Sequence, residues 1–130
     1  MFLYYAVTLI IMPVFMIVFG ILWQKRPPDY RNIFYGYRTR RSMRSIEAWN
    51  KAHNYFGKLW LISGILSLIT AAAAIAVFFK SNYFLIIYTV AVFIQLCAAV
   101  VPIFFTENML KRSFDSDGAA YSSDESDDFK

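Results

Sequence analysis

His53 is the sole imidazole and Cys97 the sole thiol of this 130-residue chain, so acid–base, nucleophilic or metal chemistry would have to be built around them. A nucleophile needs a base beside it and a third group to orient that base. The carboxylates that could serve, Asp29 and Glu47, stand at no recognisable spacing from His53. No CxxC pair, Cys/His set or glycine-rich phosphate loop accompanies them. An enzyme is therefore not expected, nor a metal or cofactor, and Cys97 reads as a small apolar residue packing between helices. His53 reads first as a packed imidazole, hydrogen-bonded to a loop carbonyl or a lipid phosphate. Its reference pKa near about 6.5 also makes it a candidate switch or ligand contact. The remaining polar chemistry is cationic. Lys25, Arg26, Arg31, Arg38, Arg40, Arg41, Arg44, Lys51 and Lys58 crowd into one short stretch, out of 13 Lys and Arg in all.

The elements that hold this stretch are apolar. The hydrophobic fraction is 58% and the mean hydropathy is positive. Leu3–Trp23, Leu59–Phe79 and Ser81–Thr106 carry no charged side chain. A bilayer core of about 30 Å needs about 20 apolar residues in a helix, and all three runs suffice. The fold class expected is an all-α integral membrane protein with three transmembrane helices, at about 3–23, 58–79 and 83–105. A basic, partly helical loop, 24–57, joins the first two. Residues 1–113 form a single membrane domain, and 114–130, rich in Ser and Asp, form a disordered acidic tail. The first run lacks preceding basic residues and a small-x-small cleavage site, so it reads as a retained helix rather than a signal peptide.

Short loops rich in Lys and Arg stay on the cytoplasmic side. The first loop carries nine, the second only Lys80, and Lys111 and Arg112 follow the third run. This places the N-terminus outside and the C-terminus in the cytoplasm. Trp23 and Trp60 then belong to the inner aromatic belt, and Tyr4, Tyr5 and Tyr83 to the outer one. A cationic loop beside a membrane needs no nucleic acid to explain it, and none is expected as a partner.

Within the spans, small residues at helical spacing let backbones approach closely. Ser63, Ser67 and Ala71 form one such line, and Gly57, Gly64 and Ala71 another. Pro13 and Gly20 can kink or thin the first span, with a neighbouring helix satisfying the carbonyl that Pro13 frees. Ala91, Gln95, Ala98 and Pro102 share a face of the third. Gln95 at mid-span is expensive against lipid, so it should point into the bundle and hydrogen-bond there. Ser63, Gly64, Ser67 and Gln95 are thus the expected packing residues.

In the loop, Pro27-Pro28 ends the first helix, and Gly36 suggests a tight turn or a close backbone approach. From about Ser42 the pattern turns helical. Ile46, Trp49, His53, Phe56 and Trp60 form an apolar stripe, and Arg40, Arg44, Glu47, Lys51, Asn54 and Lys58 a mostly basic one. Such a helix can lie at the headgroup level, apolar side down.

The order Asn32-x-x-x-Gly36-x-Arg38-Thr39, then Trp49-x-x-x-His53-x-x-x-Gly57-Lys58-Leu59-Trp60, then Gly64, resembles the signature of the SdpI family. These are small bacterial membrane proteins named for immunity to a membrane-active peptide toxin. The resemblance implies immunity, membrane-based signalling through a cytoplasmic regulator, or both, in the bacterial cell membrane. It nominates Asn32, Gly36, Arg38, Thr39, Trp49, His53 and Gly57 as the residues that bind a partner or lipid at the inner face. On that reading Arg38 clamps a carboxylate or lipid phosphate, Asn32 bonds the turn at Gly36, and Trp49 and His53 floor the site. Two other readings stand beside it. One is a structural or accessory protein whose loop grips anionic headgroups. The other is a small transporter built by homo-oligomerisation, for which Gln95 and a few hydroxyls offer a sparse lining.

Overall fold

A computed structural model describes residues 1–30, 34, 36–78, 80–114 and 119. Three helices account for most of them: α1 (Phe2–Lys25), α2 (Ile46–Phe78) and α3 (Phe84–Ser113). Each is long and apolar enough to cross a membrane. At 1.5 Å per residue the 24 residues of α1 span about 36 Å, matching a bilayer core with little excess. The 33 residues of α2 reach about 50 Å, so α2 must project beyond it. The charge pattern puts the projection at its start, since Glu47, Lys51 and Lys58 all precede the apolar run beginning at Leu59. The helix runs straight through Gly57 without a break. Ser45 starts it, its hydroxyl oxygen accepting the Ala48 N–H at 3.0 Å, which satisfies one donor of the open first turn. α3 likewise continues past Phe105 to Ser113.

α1 packs mainly on α2, α2 on α3, and α1 touches α3 little. The buried residues of α1 are Leu9, Pro13, Met16, Gly20 and Trp23, alternating steps of four and three. That spacing is the seam of a left-handed helix pair. Gly57, Gly64 and Ala71 answer it from α2. A Cβ on Gly20 would lie 2.7 Å from the Leu61 nitrogen and 2.8 Å from the Gly57 oxygen. A Cβ on Gly64 would meet Ile17 Cγ1 at 2.8 Å. Ala71 is fully buried with Leu9 and Ala91. Ser67 is buried on the same helix and Ser63 half-buried beside it.

Gln95 is 3% exposed and donates from Nε2 to the carbonyl of Leu9 at 2.8 Å. Leu9 is four residues before Pro13, which has no N–H, so this carbonyl has lost its helical donor. One polar side chain of α3 thus repairs the defect that proline makes in α1. Gln95→Leu should lower stability in detergent by about 1–2 kcal/mol. In a Pro13→Ala background, where residue 13 again donates to Leu9, the penalty should shrink by half or more in a double-mutant cycle.

Cys97 does not pack between helices: it is exposed on α3, on the side turned away from the α1 contact. It lies two residues, about 200°, round the helix from Gln95, which takes the inward position.

Candidate functional site

The chain between α1 and α2 folds down onto the projecting start of α2. Gly36 has φ +134°, a conformation that side-chain-bearing residues rarely adopt. It also sits hard against the helix. A Cβ there would lie 3.0 Å from His53 Nε2, 3.2 Å from Pro28 Cγ and 3.3 Å from the Trp49 ring. The next residue makes the decisive bond: the Tyr37 backbone N–H donates to His53 Nε2 at 2.8 Å. Because Nε2 accepts, the proton of the neutral ring sits on Nδ1, which donates to the Trp49 carbonyl at 2.7 Å. Both imidazole nitrogens are therefore used inside the protein.

Trp49 is the second fastening. Fully buried, it donates from Nε1 to the Pro28 carbonyl at 2.8 Å, pinning the chain just after α1. Its ring lies 4.4 Å from that of His53. Tyr30 adds a hydrogen bond from its hydroxyl to the Met43 carbonyl at 2.9 Å. The turn after Arg38 closes on itself. Thr39 N–H donates to Ser42 Oγ at 3.0 Å, Ser42 N–H to Thr39 Oγ1 at 3.2 Å, and Ser42 Oγ donates to the Tyr37 carbonyl at 2.8 Å. Thr39 serves the backbone of its own turn. Arg38, between these anchors, has an exposed side chain.

The stripe of Trp49, His53 and Phe56 therefore does not face lipid. All three are 3% exposed or less, covered by the loop and by α1. The reason is Trp23, whose ring stacks on Trp60 at 5.6 Å and 11° and lies 5.3 Å from His53. Tyr37 completes the cluster over Phe56 at 4.8 Å. Rings packed edge and face against one another gain about 0.5–1.5 kcal/mol per pair beyond the area they bury, which favours the covered arrangement. Arg40, Lys51, Asn54 and Lys58 remain exposed on the other side.

α3 supplies a residue that sequence patterning did not single out. Glu107 accepts the Tyr37 hydroxyl proton at 2.6 Å through one carboxylate oxygen and meets Arg41 Nε at 3.5 Å through the other. Burial, and then the adjacent Glu107, push the Tyr37 phenol well above its ordinary value, so it stays a donor. The signal was available only as a lone carboxylate at the end of an uncharged run. Tyr37 thus ties the loop to α2 through its backbone and to α3 through its side chain.

Of the nominated residues, Gly36, Trp49 and His53 meet in one place, with Arg38 and Thr39 in the turn above them. Gly57 is apart from that turn: a Cβ there would lie 2.8 Å from the Gly20 oxygen, so it serves the α1–α2 crossing. Asn32 lies outside the described residues, as does nearly all of the tail from 115 onward.

The model of the SdpI/YfhL protein family matches residues 30–106, over half the chain, and includes Gly36, Tyr37, Arg38, Thr39, Trp49 and His53, though not Pro28 or Glu107. The chain belongs to the SdpI/YfhL family. It is 35% identical over 103 residues to the uncharacterized protein YfhL of Bacillus subtilis (strain 168), covering 79% of this chain and 86% of that protein. No solved structure matches. The match of the SdpI/YfhL model runs from the loop through α2 into α3, the three parts that Tyr37 joins.

Proposed function

We propose that this SdpI/YfhL protein acts in immunity to a membrane-active peptide toxin, in membrane-based signalling, or in both, by binding a partner at the inner face of the bacterial cell membrane. The N-terminus lies outside and the C-terminus in the cytoplasm, as the nine cations of the first loop require. The protein binds and does not catalyse.

The observation that carries this reading is the fastened turn. A loop needed only for its charge has no use for a glycine at φ +134°, a histidine using both nitrogens and a reciprocal Thr39–Ser42 pair. Such a turn holds Arg38 on a fixed base, where its planar guanidinium can take a carboxylate or phosphate through two bonds.

Survival of a sensitive bacterium expressing the chain, challenged with membrane-active peptide toxins, tests the proposal. Wild type should protect, and Arg38→Ala and His53→Ala should lose most of that protection at equal membrane levels. Arg38→Lys should also fail, because lysine keeps the charge without the fork. A loop that merely grips headgroups would keep its activity in Arg38→Lys, and that result would overturn the reading.

A further inference from the structure

We propose that the crevice between the projecting ends of α2 and α3 is a binding site for one anionic diacyl phospholipid of the leaflet where α2 begins and α3 ends. The crevice encloses about 410 Å³ and is lined by Tyr55, Phe105, Asn108, Met109, Arg112 and Ser113. Its lining changes character along α3. Phe105 stands at the membrane end and is 55% exposed, offering an apolar wall. Arg112 stands seven residues further on, about 10 Å along the helix, enough to carry it out of the hydrocarbon to the outer level of the headgroups.

The charge at the far end is positive. Arg112 lines the crevice, and Lys51 reaches over from α2 to Ser113 Oγ at 3.4 Å, standing above the Phe114 ring. Glu107 is turned to the other side of α3, where Tyr37 and Arg41 hold it. Glu47 is two turns beyond Tyr55 on α2 and does not line the crevice. The last carbonyls of α3 oppose an anion with roughly half a unit charge, which the two cations outweigh. A phosphate can therefore sit at Arg112 with Asn108, Ser113 and Tyr55 as neutral hydrogen-bonding groups, its acyl chain running past Met109 and Phe105. A free phosphate would leave that apolar wall unused.

The site is separate from the Arg38 turn, so the two proposals stand or fall independently. The full chain in a non-ionic detergent is titrated with phosphatidylglycerol and, separately, phosphatidylcholine, and bound lipid is counted by native mass spectrometry. One phosphatidylglycerol should bind saturably, at least about fivefold tighter than phosphatidylcholine. Arg112→Gln should weaken it about tenfold, Asn108→Leu less, and Arg40→Gln, in the loop, less than about twofold. Arg112 and Asn108 are both exposed, and circular dichroism checks that each variant keeps its helices. Equal binding of the two lipids, or unchanged binding in both folded crevice variants, overturns the proposal. Full displacement by millimolar inorganic phosphate also overturns it, since the ligand would then be the free ion.

Discussion

Replacing His53 with alanine is expected to release the loop from α2 while leaving the three helices assembled. The substitution removes a buried ring packed on Trp49 and Trp23, and it strands the Tyr37 N–H that Nε2 now accepts. Losing a ring of this size and orphaning a buried donor together cost about 3–4 kcal/mol. Hydrogen exchange at the Tyr37 amide should rise by two orders of magnitude or more, roughly what such a cost implies for a local opening. Trypsin should cut at Arg38, Arg40 and Arg41 in the variant and spare them in wild type, while helical content stays the same. Gly36→Ala should move both readouts the same way by less, because its Cβ meets the same nitrogen at 3.0 Å in an unfavourable conformation. A Tyr37 amide equally protected in His53→Ala would show that the bond is incidental.

The same bond has a pH dependence whose sign is determined by the tautomer. His53 lies before Leu59, on the part of α2 that projects beyond the apolar run, and desolvation holds its pKa below the ordinary 6.5, against the opposing pull of the Trp49 carbonyl. Nε2 accepts only when it is unprotonated. A depressed pKa in the folded state means that the fastening contributes fully above about pH 6.5. It is lost as pH falls through the lower, folded-state value. Tyr37 exchange corrected for its intrinsic rate should therefore be flat near neutrality and rise on acidification. In His53→Ala that rise should disappear.

The second large effect is expected at the α1–α2 crossing. Gly20→Ala should destabilise the protein by about 2–3 kcal/mol, toward the upper end for overpacking. Its new methyl would lie under 3 Å from the Leu61 nitrogen and the Gly57 oxygen, and backbone atoms of a continuous helix cannot step aside. Gly57→Ala meets one such oxygen and the flexible Gln24 side chain, and should cost less. Gly64→Ala meets Ile17 Cγ1 at 2.8 Å and no backbone atom nearer than the Ile17 nitrogen at 3.1 Å, and should cost least, about 1–2 kcal/mol. Thermal unfolding in detergent, monitored by circular dichroism, should rank the three in that order. A larger loss at Gly64 than at Gly20 would mean that the helices cross elsewhere.

Three spanning helices were legible from the chain alone, because lipid demands long uncharged runs and leaves little freedom in how they are built. The small-residue line Gly57, Gly64 and Ala71 was visible for a similar reason: spacing on a helix is a property of sequence. Which line meets which neighbour was not, and Gly57 shows the cost. In sequence it belongs with Trp49 and His53, one turn apart on α2, whereas in space it faces Gly20.

The stripe of Trp49, His53 and Phe56 shows the deeper limit. Periodicity establishes that these residues share a face, and says nothing of whether lipid or protein covers it. The tertiary structure decided that, by bringing Trp23 from α1 and Tyr37 from the loop over the same face. Glu107 gained its role the same way, 70 residues from the Tyr37 that it accepts from. Apolar length and spacing are local quantities and can be read along the chain. The partner of a hydrogen bond and the cover of an aromatic face depend on distances between segments remote in sequence, which exist only once the helices have packed.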